Sequence, residues 1–348
     1  MGYQRFATPR AYVDFINFHL AVGTYGLSNI TFLDDSGRTV SFTEGNKEDL
    51  FDLKPHNHVT LSSGTQQFFI TLNNSFSTDA LQVQNFIAIL GHNFKDATAI
   101  FKIQVSDSSD FSSGVTTITP ANTTLAINAP VDSGDSNFFE PTLNGWSLIT
   151  FASQSGVGNK YLRITLQDEG GPSTSFNSDL MMGSIMFGEY ADWPHAADVN
   201  LTTAYDYDGT KITNSVGGSS YANSPFFGAP TWSATQPFMN TSANADTYPW
   251  SGRKGRMKHS LNFTYMADTD VFHSNQYDYF DMYSVGTDFH SQFYNKIIGQ
   301  HNPFLFTIDK TSTTTGDYGL FRLADSSFSA TQIAPQTWNS KLDIIESW

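Results

Sequence analysis

The chain has 348 residues, 33 of them acidic against 18 basic, a net charge of −15, and no cysteine. The missing thiols exclude disulfides, zinc–thiolate sites, iron–sulfur clusters and cysteine nucleophiles. The acidic balance is a poor match for gripping a nucleic-acid backbone or an anionic membrane surface. Charged residues are only 15% of the chain while Phe and Tyr number 30 and 15, a balance that favours strands over charge-rich helices.

Met1–Leu20 lacks the apolar run of an export signal, because Asp14, Asn17 and His19 interrupt it. No stretch reaches the length of a membrane-spanning helix. Synthesis in a cytosol without membrane insertion is therefore expected. Most apolar segments that follow are short and alternate. Phe68, Ile70 and Leu72 share one face, as do Phe101, Ile103 and Val105, then Leu162, Ile164 and Leu166, then Leu261, Phe263 and Tyr265. Period two over five or six residues, bounded by Asn, Asp, Ser and Gly, predicts half-buried strands. With no regular helix between them, the sheets are expected to be antiparallel.

Leu81–Ile89 has a helical reading, but its β-branched residues favour a strand. Asp288–Ile298 predicts one short helix, with Phe289, Phe293 and Ile297 on one face, Asp288 as cap and Gly299 as stop. The length implies two domains, and the composition shift around Pro194 divides the chain into 1–195 and 196–348. Asn214–Pro249, rich in Ser, Asn, Gly, Pro and aromatics without periodicity, reads as long loops.

Chemistry-bearing patterns are sparse. There is no Gly-x-Ser-x-Gly elbow, no His-Glu-x-x-His helix and no phosphate loop, so no enzyme is expected and no catalytic residue is named. A polysaccharide-cleaving carboxylate pair cannot be selected from spacing alone. The acid-rich turns at Asp34–Asp35, Asp107–Asp110, Asp132–Asp135 and Asp206–Asp208 suit ordinary β-turns better than Ca²⁺ loops. No cofactor is expected; a structural Ca²⁺ in one such turn is the alternative. His56 and His58 would share one face of a strand, without an evident third ligand. The basic island Arg253, Lys254, Arg256 and Lys258 stands out in an acidic chain. It reads as an electrostatic contact to a neighbouring subunit rather than to nucleic acid. Trp232 and Trp250, in the loop-rich stretch, are the matching candidates for aromatic interface anchors.

The carboxy-terminal third resembles the closing barrel of tailed-bacteriophage tail proteins. The segments that carry the likeness are Ser260–Asp268, Asp288–Ile298, Pro303–Ile308, Tyr318–Leu323 and Trp338–Trp348. The amino-terminal part is similar to the galactose-binding-like jelly rolls of phage virion proteins, through Asp49–Leu61 and Phe86–Phe94, the latter placing Gly91, His92 and Asn93 at a turn. The resemblance implies a mainly all-β protein, an antiparallel jelly-roll sandwich at 1–195 followed by a β-barrel or sandwich at 196–348. It further implies a non-enzymatic structural protein of a phage tail tip or baseplate. Such a protein is made in the host cytoplasm, resides in the virion, and assembles with its own copies and other tail proteins. The alternative is a receptor- or carbohydrate-binding virion protein that meets a host surface glycan.

Overall fold

The computed structural model describes residues 7–73, 85–152, 161–207, 211–223, 238, 255–272 and 288–347. The expected β class is what forms. An 11-stranded antiparallel sheet runs β13 (Thr202–Asp206), β16 (Arg256–Ala267), β20 (Thr337–Glu346), β18 (Tyr318–Leu323), β17 (Phe304–Thr307), β1 (Arg10–Asp14), β12 (Ser184–Asp192), β5 (Phe86–His92), β9 (Gly145–Phe151) and β8 (Thr123–Ile127). Its remaining strand, β19 (Ala330–Ala334), pairs with β20. A 5-stranded sheet runs β2 (Ile30–Asp34), β4 (Phe68–Asn73), β10 (Tyr161–Asp168), β6 (Ala99–Ser106) and β7 (Thr116–Ile118). Two short pairs complete the set: β3 (Val59–Leu61) with β11 (Leu180–Met182), and β14 (Lys211–Asn214) with β15 (Ser220–Asn223).

The pairs β1·β12, β3·β11, β4·β10 and β5·β9 nest inside one another along the chain. That is jelly-roll wrapping. The alternating side chains of each strand then sort themselves between cores. Ile87, Ile89, Ile149, Phe151, Ile185 and Phe187 of the large sheet face Ile70, Leu72, Ile103, Val105, Leu162 and Ile164 of the small one in a sandwich core. Their neighbours Phe86, Ala88, Leu90, Trp146, Leu148 and Met186 point the other way, into a second cluster with Tyr12, Leu305 and Tyr318. β5 and β9 are therefore buried on both faces.

The carboxy-terminal strands do not close into a barrel. The edge of β17 that closure would require is hydrogen-bonded to β1, with Ala11 opposite Phe306 and Val13 opposite Phe304. β1 pairs β12 on its other side, so one sheet runs across residue 195. Ala191, Trp193 and Ala197 sit in the same cluster as Leu261, Phe263, Phe289, Phe293, Phe304 and Phe321. The Trp193 ring packs 4.8 Å from Phe289 and 5.5 Å from Phe293. Gly188, where β12 passes β1, has no alternative: a Cβ there would meet the Val13 carbonyl oxygen at 1.9 Å.

Helices are more numerous than the one expected. α1 (Phe15–Val22) follows β1 directly, with Asp14 accepting from the backbone N–H groups of Ile16 and Asn17, and Gly23 in the left-handed region closing it. Its residues are apolar nearly all round, so no amphipathic stripe marks it. α2 (Asp268–Val271) is a single turn. The helix over 288–298 is a π-turn at His290–Tyr294 that runs into α3 (Asn295–Ile297). Its apolar face and Asp288 cap are as the pattern predicts, and the left-handed Ile298 and Gly299 end it. Of the Leu81–Ile89 segment, residues 81–84 lie outside the described residues, and Phe86–Ile89 fall in β5 (Phe86–His92), the strand their β-branched side chains favoured. Gly91, at φ +65°, makes a bulge within that strand instead of a turn, and the turn begins at residue 94.

Candidate functional site

β16 begins with strict alternation: His259, Leu261 and Phe263 are buried while Ser260, Asn262 and Thr264 are not. Continued alternation would bury Tyr265. Instead the register against β20 slips between Phe263 and Met266, and Tyr265 adopts φ +62°. The bulge inserts one residue, so Met266 takes the inward place and the tyrosine ring stands 77% exposed. A non-glycine residue held in the left-handed region is strained. The expectation that Tyr265 shares the buried face of Leu261 and Phe263 fails for this reason.

Beside that bulge lies a cleft of about 300 Å³, lined chiefly by Asp198, Asn200, Asn262, Thr264, Asn339 and Lys341, with Ser329 and Thr331 on the β19 side. The strand pairing explains the company. Asn262 is opposite Lys341 and Thr331 is opposite Asn339, so one sheet face collects amides, hydroxyls, a carboxylate and an ammonium. Thr264 Oγ1 donates to Asp198 (3.1 Å), Asn262 Nδ2 donates to Asn200 Oδ1 (3.3 Å), and the Tyr265 backbone N–H donates to Asn339 Oδ1 (3.4 Å). Lys341 is 2.8 Å from Asp343. The cleft offers many neutral hydrogen-bonding groups and almost no net charge.

No family model matches the chain, and no curated protein matches it in sequence. Among solved structures, a chitosan-binding module derived from a chitosanase/glucanase of Paenibacillus sp. IK-5 is 17% identical. The match covers 45% of this chain and 92% of the module, with a TM-score of 0.28. A likeness that slight carries no argument about fold or ligand.

The other candidates disperse. Within the basic island, Lys258 is ion-paired to Asp206 of the neighbouring β13, and Arg256 opens β16 beside it. Arg253, Lys254, Trp232 and Trp250 lie outside the described residues. The acid-rich turns are held by their own backbones: Asp34 accepts from Ser36 and Arg38, Asp110 from Ser112, and Asp132 from Gly134 and Asp135. Among the described residues no three His, Asp or Glu side chains gather as a metal-binding group would require. His56 and His58 lie in a turn ahead of β3, not on a strand. The His56 ring meets Phe238 at 5.4 Å, and burial pushes His58 down to about 4.

The most perturbed titratable groups are sealed in the core. Glu189 and Lys296 form an ion pair with both side chains about 5% exposed or less, and Phe15 and His19 lie against the ammonium. Burial pushes Lys296 down to about 7. Asp14, fully enclosed, is raised to about 6 by desolvation, which outweighs its hydrogen bonds from Asn17 and Ile16. The cavity beside Asp14 is only about 10 Å³, room for about one water and no substrate.

Proposed function

We propose that this chain is a non-enzymatic structural protein of a bacteriophage tail, of the tip or baseplate type, that assembles through surfaces on its carboxy-terminal half. The observation that carries the reading is the β14–β15 hairpin. Every residue from Lys211 to Asn214 is exposed, and so are Ile212 (69%), Val216 (111%) and Tyr221 (64%). A lone two-stranded hairpin is marginal in water, and one that also presents apolar side chains gains stability when another chain covers them. β13, with Tyr205 49% exposed, is the end strand of the large sheet and has one unpaired edge among the described residues. The segments behind the resemblance to tail proteins fold as β16, the π-turn with α3, β17, β18 and β20.

Mass photometry and sedimentation of the full chain are expected to show a defined oligomer, or a complex with other tail proteins of the same virion. Ile212→Ser combined with Tyr221→Ser should weaken that association at least tenfold without altering the melting transition. An intact chain that stays monomeric and binds no tail protein overturns the reading.

A further inference from the structure

We propose that the cleft between β16, β19 and β20 binds a neutral oligosaccharide, with the exposed Tyr265, which follows the lining residue Thr264 and whose backbone N–H donates to the lining Asn339, as the stacking surface. A sugar presents hydroxyls that each donate and accept, and C–H faces that lie flat on an aromatic ring. The cleft supplies both halves of that chemistry. Asn200, Asn262 and Asn339 carry planar amides with two donors and an acceptor each, so one mutual bond leaves capacity for a ligand. Thr264, Ser329 and Thr331 add hydroxyls that act in either sense. An exposed ring with a polar hydroxyl tip suits a wet binding surface.

Charge decides the sugar class. Among the described residues, Asp198 and Lys341 are the only ionised groups of the lining and cancel each other. Each is already engaged, Asp198 by Thr264 and Lys341 by Asp343. No surplus positive charge remains for a sialylated or sulfated glycan, so selectivity falls to hydrogen-bond geometry and to stacking. At about 300 Å³ the cleft sits at the small end of ligand pockets, which fits a short segment of a chain that continues into solvent. The bulge completes the picture. An exposed aromatic ring is held outward at φ +62°, where glycine would be unstrained. Folding alone does not reward that choice.

The test is a glycan array carrying neutral and N-acetylated oligosaccharides beside sialylated and sulfated ones, probed with the labelled full-length chain and followed by calorimetric titration of the best neutral glycan. Retention on neutral glycans is expected, weakened roughly tenfold or more by Asn262→Ala and by Tyr265→Ala. Thr213→Ala, in the hairpin, should leave it unchanged. Should Asn262→Ala fail to fold, Thr331→Ala on an exposed side chain provides the same comparison. The proposal is overturned if no neutral glycan is retained, if only anionic glycans are, or if the cleft variants bind as the parent does. Sugar binding here does not depend on assembly state, so a chain that binds glycan as a monomer upholds this site while sinking the assembly reading.

Discussion

Glu189 and Lys296 illustrate what a single pair contributes at this fold's centre. Glu189 lies on β12 between Phe187, in the sandwich core, and Ala191, in the carboxy-terminal core. The ion pair therefore stands at the seam where two apolar clusters meet on one sheet face, with α1 packed over it. Two charges in that position must satisfy each other, because nothing apolar around them can. Lys296→Met alone should destabilise the protein by about 3–5 kcal/mol, since it strands a buried carboxylate. Pairing it with Glu189→Leu should recover most of that loss. Urea denaturation of the two singles and the double measures the difference. A double variant as weak as the singles would mean the pair is not the partner set described.

At the scale of elements, the β16 bulge shows a strand departing from its own pattern. Leu261 and Phe263 obey period two and Tyr265 does not, because an inserted residue shifts Met266 into the core. Left-handed backbone at a non-glycine position costs about 1 kcal/mol or more. Tyr265→Gly should therefore raise stability by about 1 kcal/mol while removing the exposed ring. Thermal melts read the first effect and glycan binding the second. A loss of stability would show that the ring supports the bulge rather than being held against its preference.

For the whole molecule, pH is the general probe. Burial lowers His19 to about 4, His92 to about 3 and His259 to about 4. His92 is enclosed, stacked 4.2 Å from Phe94 and bonded to Ser147. Unfolding frees each ring to titrate at its ordinary value near 6.5, so between that pH and about 4 the unfolded chain binds more protons and stability falls on acidification. Asp14, raised to about 6, acts the other way: below that pH the folded form takes up a proton before the unfolded one does. With His58, also lowered to about 4, four histidines against one carboxylate leave a net of about three protons, or roughly 4 kcal/mol per pH unit near pH 5. Chemical denaturation at pH 7, 6 and 5 checks the slope, and a flat or rising profile toward acid contradicts the buried, neutral histidines.

The sequence by itself determined the β class, the antiparallel pairing, the positions of β4, β6, β10 and most of β16, and the apolar face of the 288–298 helix. These follow from period-two and period-four patterning, which is local. α1 was not read from the sequence, because it is apolar nearly all round and gave no amphipathic signal. Only the tertiary structure decided that β1 would pair with β17 and thereby keep the carboxy-terminal strands open, since hydrogen-bond partners distant in sequence leave no periodic trace. The same holds for the cleft. Asp198, Asn262, Thr331 and Lys341 are ordinary polar residues in four separate stretches, and strand register alone brings them onto one face beside a tyrosine that a bulge turned outward.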